Sequence, residues 1–342
     1  MAFPVPKEIS MVQGIELTVS RVALTISTVL EVMHRISLYL EDFLWYHHLG
    51  LLAALESQEF AAQGLEVELV CPDYHTQGLD KVARGEIDFA LSEPIHALPL
   101  QVQGKSVVAI AQLFELQGSS VMARANTVKT AADFVGKRLG YPTAPSPNGP
   151  AILRQVAYSQ GVVLDPKSVH RVVSGSDLLG ALERDAADIV LVTAQHSILL
   201  AQQKQLPVTL FSTEAAGIPS FGHNVLVTRQ AVIAMHPDVI RRLLRAIAQG
   251  TQRVQTDWAY ARALAQKHIM FPPEPGEAFL QQTLPVLTTN LQQPPTLWQQ
   301  VQQWMCEIGL LRHRIPTERL FTNEFALQLG LTERLVSSSS TP

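Results

Sequence analysis

Two histidines and two aromatic residues adjoin one another between the first predicted strand and the first predicted helix, in the run Trp45-Tyr46-His47-His48. The carboxyl end of a strand is where α/β proteins commonly place their ligands. Aromatic faces there could stack on a planar ring, and imidazoles could hydrogen-bond to it. The alternative is that one histidine caps the helix while the aromatic residues pack in the core. A metal site on the two histidines is less favoured, because adjacent positions on a helix do not share a face.

A carboxylate and a third histidine follow a later predicted strand, in the run Ser92-Glu93-Pro94-Ile95-His96. The serine is expected at the N-cap of the next helix, with the proline near the helix start. Glu93 could then simply interact with the helix dipole. The functional alternative is that Glu93 accepts an N–H from an amine or amidine of a heterocycle, with His96 one turn deeper.

Two loops rich in glycine and proline, over residues 141–150 and 216–222, border predicted strands. The first loop presents Ser146, Asn148 and free backbone N–H groups at a helix start, which suit a hydroxyl or phosphate oxygen. Each loop lies at a sheet edge, so both are predicted to face a ligand.

Composition and absent motifs exclude several classes of protein. The chain has 26 lysines and arginines against 30 aspartates and glutamates, and no long basic run, so a nucleic-acid partner is not expected. Cys71 and Cys306 stand far apart, which excludes a disulfide framework and cysteine-rich metal sites. No Walker loop, GxGxxG, GxSxG or HExxH spacing occurs, and this favours binding over a familiar enzyme class.

The elements that must position these residues alternate between short apolar runs and longer stretches of helical period. This pattern predicts an α/β fold with mainly parallel sheets, followed after Thr228 by helices only. Long helices are expected from Leu49 to Gln63, from His236 to Ala265 and from Glu277 to Leu291. The predicted strands run from Ile36 to Leu40, Val67 to Cys71, Ile87 to Leu91, Val107 to Gln112, Ser120 to Arg124, Arg138 to Tyr141, His170 to Val173, Asp188 to Thr193, Val208 to Phe211 and Asn224 to Thr228.

Residues 1–34 are expected to be an N-terminal extension of uncertain order. Glu31 ends the apolar run from Val22 to Leu30, and no small-residue cleavage site follows, so a signal peptide is not expected. No stretch reaches about 18 uninterrupted apolar residues, so no membrane-spanning helix is expected. The chain as written is expected in the cytoplasm, and in the periplasm if the true start is not Met1.

Several runs occur in the order and spacing of one known superfamily. The runs extend from Ile36 to Asp42, His48 to Gly50, Phe60 to Leu69, Gly85 to Ser92, Phe134 to Pro142, Asp188 to His196, Gly217 to Ser220 and His236 to Ala246. Together they resemble the binding proteins for thiamine pyrimidine precursors. That superfamily also holds aliphatic-sulfonate-binding proteins and the fungal pyrimidine synthase.

The resemblance implies a two-lobed α/β fold of the periplasmic-binding-protein kind (type II), with a ligand cleft between the lobes and a helical C-terminal tail. Lobe one is expected over residues 35–125 plus 217–342, and lobe two over 126–216. The resemblance and the strand-end positions together predict these ligand-binding residues: Trp45, His48, Ser92, Glu93, His96, Tyr141, Ser146, Asn148, Gln195, His196, Phe221 and His223.

The chain departs from the fungal synthase, which, as the resemblance implies, holds pyridoxal phosphate on a lysine and consumes a histidine four residues later. His96 matches that histidine, but Ser92 stands at the lysine position, and without an amine no Schiff base can form. The cysteine-rich loop of the synthase is matched by Ile218-Pro-Ser-Phe-Gly222, which offers no thiol ligands for iron. Asp42 replaces a family tryptophan and His47 an asparagine. No cofactor and no metal site are therefore predicted.

The sequence thus predicts a substrate-binding protein for a small heterocycle related to the thiamine pyrimidine precursor, which closes by hinge bending near residues 124 and 217. The predicted partners are this small molecule and an ABC transporter permease, with no nucleic acid and no membrane insertion. The alternative is a cytoplasmic pyrimidine-forming enzyme of thiamine biosynthesis, similar to 4-amino-5-hydroxymethyl-2-methylpyrimidine phosphate synthase. A third hypothesis is a cytoplasmic ligand sensor that pairs with another protein through its helical tail.

Overall fold

Ten strands form two sheets in the part of the chain that the computed structural model describes. That part comprises residues 33–41, 44–71, 77–115, 119–141, 148–174, 177–220, 224–269 and 276–329, with the backbone alone at 193–196. Every predicted strand is confirmed, with bounds that differ by no more than two residues. The strands are β1 (His34–Tyr39), β2 (Leu65–Val70), β3 (Phe89–Ser92), β4 (Val107–Phe114), β5 (Ser119–Arg124), β6 (Arg138–Tyr141), β7 (His170–Val173), β8 (Ile189–Thr193), β9 (Val208–Ser212) and β10 (Asn224–Arg229).

The two sheets share one topology. The first has the strand order β2-β1-β3-β10-β4 and the second β7-β6-β8-β5-β9. In each sheet the first three strands are parallel and the fourth runs antiparallel to both of its neighbours. The prediction of mainly parallel sheets is therefore wrong for half of the strand pairs. The reason is that β5 and β10 each enter their sheet on a crossing from the other sheet and run in the reverse direction.

Twelve helices are bounded among the described residues, and two of the long predicted helices are divided. Gln58 has a left-handed φ of 59° and separates α1 from α2. The Asp257 carboxylate accepts the Tyr260 N–H (2.9 Å), which caps α10 and separates it from α9. The helices are α1 (Leu49–Glu56), α2 (Glu59–Ala62), α3 (Gln77–Arg84), α4 (Pro94–Val102), α5 (Asn148–Ser159), α6 (Leu178–Glu183), α7 (Ala194–Gln203), α8 (Gln230–Met235), α9 (Pro237–Thr256), α10 (Trp258–His268), α11 (Gly276–Thr283) and α12 (Pro295–Glu307).

The predicted helix from Glu277 to Leu291 is shorter than expected. It ends at Thr283, and a single 3-10 turn, Leu284–Val286, follows it. Pro285 lies in this turn, and its ring cannot continue an α-helical hydrogen-bond ladder.

Residues 324–329 form one further helical stretch. Among the described residues, no helix combines the length and the apolar character needed to cross a bilayer.

Two glycines bring α1 and α9 into close contact beneath the first sheet. A Cβ atom at Gly250 would overlap the Gly50 carbonyl oxygen and the Ala54 backbone nitrogen, and a Cβ at Gly50 would overlap the Thr251 hydroxyl. Only glycine permits this approach. The contact fixes α1, which begins directly after His47 and His48.

The chain around the first sheet also touches the chain around the second. On one side, the Arg154 guanidinium of α5 donates to the Ile308 carbonyl after α12 (2.7 Å). On the other side, Leu199 of α7 packs against an apolar cluster that includes Tyr46 and Phe279. These two contacts join the parts of the chain that surround the two sheets.

Backbone from the C-terminal region covers the free edge of β4. Residues Leu287 and Phe321 form isolated bridges with Phe114 and Ala109. In addition, the Gln112 N–H donates to the Leu291 carbonyl (2.9 Å). The outer strand of the first sheet thus finds hydrogen-bond partners beyond the sheet itself.

Candidate functional site

The carboxyl edge of the first sheet gathers residues from four strands. The parallel strands β1 and β3 both end at this edge. The antiparallel strand β10 begins there, because its residues Asn224 and Val225 pair with Phe114 at the end of β4 and with Ser92 at the end of β3. Glu41 follows β1 at the same edge. A ligand in an α/β protein binds at such an edge.

A buried carboxylate lies at the centre of this edge, held by three side-chain donors. The Nε2 atom of His47 lies 2.7 Å from Glu41 Oε1, and the Nε2 atom of His48 lies 3.3 Å from Glu41 Oε2. The amide of Asn224 also donates to Glu41 Oε1. We refer to Glu41, His47, His48 and Asn224 as the Glu41 cluster. Glu41, His48 and Asn224 are buried and His47 is partly exposed.

The local backbone explains why both histidines reach the same carboxylate. Residues Tyr46–His48 form one 3-10 turn that runs directly into α1. In this turn the two imidazole centroids lie 4.1 Å apart. The expectation that adjacent histidines would not converge is therefore wrong, because in this tight turn they approach the two oxygens of one carboxylate.

The cluster keeps the carboxylate ionised. Burial alone would raise the pKa of Glu41, but the neighbouring His48 and the hydrogen bonds from both imidazoles hold that pKa well below its usual range. Burial and the nearby His47 lower the pKa of His48, although Glu41 opposes this shift. At neutral pH the cluster therefore contains a charged carboxylate and a neutral His48.

The ligand atoms of Glu41, His47 and His48 all lie within 4.8 Å of one another, a spacing that could hold a metal ion. The tautomer of His48 opposes this use. Its Nδ1 atom accepts the Trp45 N–H (3.1 Å), so the ring proton resides on Nε2 and is donated to Glu41. In this arrangement His48 has no free lone pair for a metal. The absence of a metal site stays a prediction.

A second carboxylate–imidazole pair lies directly after β3, at the same edge of the first sheet. Glu93 Oε2 and His96 Nε2 are 3.2 Å apart. Glu93, and not the predicted Ser92, is the N-cap residue of α4, because Ser92 still belongs to β3. The Glu93 carboxylate makes no side-chain cap hydrogen bond and is directed to His96 instead. Ser92 itself is buried.

Trp45 and Tyr141 each pack against residues of their own lobe. The Trp45 ring lies 5.2 Å from Tyr46 and 5.6 Å from Phe279, so it takes part in the packing that the sequence left as an alternative. Tyr141 ends β6, and its phenol oxygen lies so close to Gly149 that a Cβ atom there would overlap it. Burial raises the pKa of Tyr141.

The remaining predicted site residues are less defined. Asn148 is the first residue of α5 and is half-buried. Gln195 and His196 lie in the first turn of α7, where only the backbone is described. Ser146, Phe221 and His223 lie outside the described residues. Their contact with a ligand stays a prediction.

Three residues that the structure brings to the candidate site were not singled out from the sequence: Glu41, Asn224 and Phe114, whose ring lies 5.4 Å from that of His47. Glu41 directly follows the first strand and stands inside a run that carried the family resemblance, which was the signal available. Asn224 begins β10, and its side-chain role follows only from the antiparallel pairing that places it beside Glu41. The sequence treated His47 only as part of the histidine pair. In the structure its Nε2 atom lies closer to the Glu41 carboxylate than that of His48, at 2.7 Å against 3.3 Å.

Known proteins similar to this chain fall into one family and one fold. A family described as NMT1/THI5 like matches residues 45–257. The formylaminopyrimidine-binding protein of Halalkalibacterium halodurans is 28% identical over 60% of this chain, and the match covers 63% of that protein, less than two thirds of its length. The 4-amino-5-hydroxymethyl-2-methylpyrimidine phosphate synthase of Legionella pneumophila is 22% identical over 82% of this chain and 90% of that protein.

Among solved structures, the periplasmic aliphatic sulphonate binding protein of Escherichia coli superposes with a TM-score of 0.63. It is 14% identical, and the match covers 84% of this chain and 91% of that one. This likeness concerns the fold, which is the two-lobed α/β fold of periplasmic binding proteins with helices at the C-terminal end. Because the family match extends over more than half of the sequence, the chain belongs to the NMT1/THI5-like family.

Proposed function

We propose that this protein binds a small heterocycle related to the pyrimidine precursor of thiamine and closes its two lobes around it. The observation that carries the proposal is the ionised Glu41 carboxylate at the carboxyl edge of the first sheet, beside a partly exposed imidazole. Relatives named for pyrimidine binding and for sulfonate binding support a solute-binding role.

The chemistry of an aminopyrimidine matches these groups. Its exocyclic amine donates N–H bonds, which a carboxylate accepts strongly. The His47 ring is partly exposed and lies 5.4 Å from the buried Phe114 ring, so its free face could stack on a planar ring. Glu93 and His96 supply a second acceptor and donor for ring nitrogens.

Closure would bring residues of the second lobe onto the same ligand. We propose that lobe two begins at Ser119, since β5 pairs within the second sheet, whereas the sequence suggested residue 126.

The return crossing from the second sheet to the first contains Gly217. This glycine has a φ of 73°, and a Cβ atom added there would meet no other atom within 4 Å. Such a residue can absorb a change in backbone angles during hinge bending. For a transported solute, the proposed partner of the closed form is an ABC transporter permease.

Isothermal titration with formylaminopyrimidine and 4-amino-5-hydroxymethyl-2-methylpyrimidine tests the function. We expect saturable binding of at least one of them, weakened about tenfold or more by Glu41→Gln, because a charge-assisted hydrogen bond is lost. Glu66→Gln is the matched control, since Glu66 is exposed on β2 and pairs only with Arg35 in the described structure. No heat from either pyrimidine with the wild-type protein would refute the ligand assignment.

The second candidate function is pyrimidine synthesis, favoured by the long alignment with the Legionella synthase. The residues do not fit the lysine-bound pyridoxal phosphate that the family resemblance implies. Ser92 supplies a buried hydroxyl where an amine is required. Residues 218–222 contain no cysteine. We expect no imine absorbance near about 400 nm when pyridoxal phosphate is added, and a saturable band at that wavelength would favour the enzyme.

A further inference from the structure

We infer that this protein binds a soft monovalent metal ion, Cu⁺ or Ag⁺, between His34 and His236, with the thioethers of Met33 and Met235 as further ligands. The site lies at the amino edge of the first sheet, where β1 begins, whereas the Glu41 cluster lies at the carboxyl edge. The inference therefore does not depend on the proposed function. The sequence alone predicted no metal site, since nothing in it shows that these two histidines meet.

The two histidines are far apart along the chain and adjacent in space. The ring centroids of His34 and His236 are 5.4 Å apart, and the ring planes are inclined by 55°. Two imidazole nitrogens that share one metal ion, at about 2 Å each, lie no more than about 4 Å apart. Rotation of the rings about their side-chain bonds can bring one nitrogen of each within that separation.

Neither imidazole is engaged by another side chain or by the backbone in the described structure. Beyond their contact with each other, the rings of His34 and His236 take part in no hydrogen bond or ion pair among the described residues. His48 differs, because its two ring nitrogens bind the Trp45 N–H and the Glu41 carboxylate. His34 is half-buried and His236 is exposed, so an ion from solvent can reach their lone pairs.

The backbone holds both histidines in place before any ion binds. The His34 N–H donates to the Gly64 carbonyl (2.9 Å), and the His236 N–H donates to the Val232 carbonyl (2.9 Å). His236 is also the N-cap residue of α9, yet it makes no side-chain cap hydrogen bond. Serine, threonine, aspartate or asparagine is preferred at that position. A histidine that faces a second histidine there departs from the local pattern, as residues of functional sites do.

A methionine precedes each histidine, in the dipeptides Met33-His34 and Met235-His236, and no other Met-His dipeptide occurs in the chain. Met33 is 41% exposed and Met235 is 63% exposed, so neither gains much from hydrophobic burial. Met33 precedes β1, so strand alternation does not direct it away from His34. Three rotatable bonds let each sulfur approach an ion held by the adjacent histidine, and thioethers select Cu⁺.

The charges around the histidine pair favour an ion of low charge. The Arg242 guanidinium donates to the Gln63 carbonyl (2.9 Å), beside the glycine that binds the His34 N–H. Asp238, in the first turn of α9, is paired with Arg241. A divalent ion would meet twice the repulsion from Arg242 that a monovalent ion meets.

Hard ligands do not complete the pair. Among the described residues, the one group of three or more histidine, cysteine, aspartate or glutamate side chains with metal-ligand spacing lies in the Glu41 cluster. No carboxylate or thiolate therefore joins His34 and His236 in the described structure. Zinc sites ordinarily use three or four protein ligands of these types, so Zn²⁺ is disfavoured and the two thioethers are the further donors.

Anaerobic titration of Cu⁺ in competition with bicinchoninate tests the inference. The reference protein is the full chain with Cys71→Ser and Cys306→Ala, because the two free thiols would otherwise bind the same ion. We expect this protein to take up one Cu⁺ per chain and to bind Zn²⁺ more weakly. Failure to compete for Cu⁺, or tighter binding of Zn²⁺, would overturn the inference.

Histidine variants of the reference protein locate the ion. His34→Gln and His236→Gln should each weaken Cu⁺ binding at least about tenfold, since even the loss of a second-shell partner of a metal costs that much. His313→Gln, at an exposed histidine after α12, is the matched control and should change nothing. Undiminished binding in either His34→Gln or His236→Gln would place the ion elsewhere and refute the site.

Methionine variants provide a readout that a merely structural role would not change. Met33→Leu and Met235→Leu nearly conserve volume and remove only the sulfur. Each should weaken Cu⁺ binding, leave Zn²⁺ binding unchanged and reduce the sulfur signal in the X-ray absorption spectrum of the Cu⁺-loaded protein. Ag⁺ should likewise raise the melting temperature of the reference protein more than that of either variant. Unaltered Cu⁺ affinity in both variants would contradict the thioether ligands.

Discussion

Asp88 and Asp188 occupy equivalent positions in the two sheets. Each immediately precedes the third strand of its sheet, and each carboxylate accepts a backbone N–H from the strand beside it, Ser37 in β1 and Arg138 in β6, both at 2.9 Å. Three residues before each aspartate the chain is left-handed, at Gly85 and Asp185. In both lobes, therefore, an aspartate before the third strand links that strand to its neighbour in the same way.

Replacing either aspartate by asparagine should lower the free energy of unfolding. Asp88 also accepts the Ser37 hydroxyl (3.0 Å), and Asp188 also accepts the Arg138 guanidinium at 2.9 Å. We expect losses of about 1–3 kcal/mol, larger for Asp188, because its acceptor bonds to a charged group are stronger. Urea unfolding measures the loss of unfolding free energy in each variant. Asp238→Asn, at an exposed pair on α9, is the control, and equal effects at all three positions would refute the role.

Stability should fall as the pH is lowered from neutral, because of the Glu41 cluster. The pKa of His48 is lowered from 6.5 in the folded state, so below pH 6.5 the unfolded chain takes up a proton that the folded chain resists. The pKa of Glu41 is also lowered, from 4.5, so its contribution is present above that pH and is lost as the pH falls through the folded value.

Thermal unfolding between pH 7.5 and 4 checks this dependence. His48→Gln should flatten the slope between pH 7 and 5, since it removes a group whose pKa is lower in the folded state than in the unfolded chain. His268→Gln, at a partly exposed histidine that pairs with Glu56, should leave the slope in place. An identical slope in wild type and His48→Gln would show that another group is responsible.

Gly250→Ala should destabilise the protein and weaken ligand binding together. The added methyl group would meet backbone atoms of α1, and backbone cannot move aside as a flexible side chain does. Overpacking of this kind costs about 1–3 kcal/mol, and it would displace the helix whose first turn adjoins His48. Melting temperature and titration measure the two effects. Gln249→Ala, exposed on the same helix, should produce neither.

Leu199→Ala should weaken ligand binding several-fold without altering any group proposed to contact the ligand. Leu199 lies on α7 of the second lobe and packs on the cluster of Tyr46 and Phe279 from the first, so its truncation should favour the open form. Small-angle scattering should show a larger radius of gyration for the ligand-free variant than for ligand-free wild type. Leu210→Ala, at a more exposed position on β9, is the control.

Local patterns in the sequence predicted every strand, since short apolar runs bounded by turns identify β-structure well. They did not predict strand direction, because the antiparallel placement of β5 and β10 depends on where the chain crosses between sheets. Helix breaks at Gln58 and Asp257 were also missed. A left-handed glutamine has no strong sequence signal, and Asp257 stands inside a continuous helical period.

The candidate site could be predicted only in part. The carboxyl end of a strand can be recognised locally, so the sequence placed His48, Glu93 and His96 at the sheet edge where they lie; their contact with a ligand stays a prediction. The role of Glu41 depends on three donors, of which Asn224 is far away in the sequence and arrives only through sheet pairing. Side-chain convergence of this kind is a property of the tertiary structure.

The C-terminal backbone that pairs with β4 also limits where the chain can be truncated without aggregation. β4 has the sequence VVAIAQLF, eight residues without a charge or a proline, which is a composition prone to intermolecular strand pairing. The segments at 286–291 and 320–322 occupy hydrogen-bonding groups along its outer side. A truncation before residue 286 would uncover this edge, and edge-to-edge aggregation would then compete with folding.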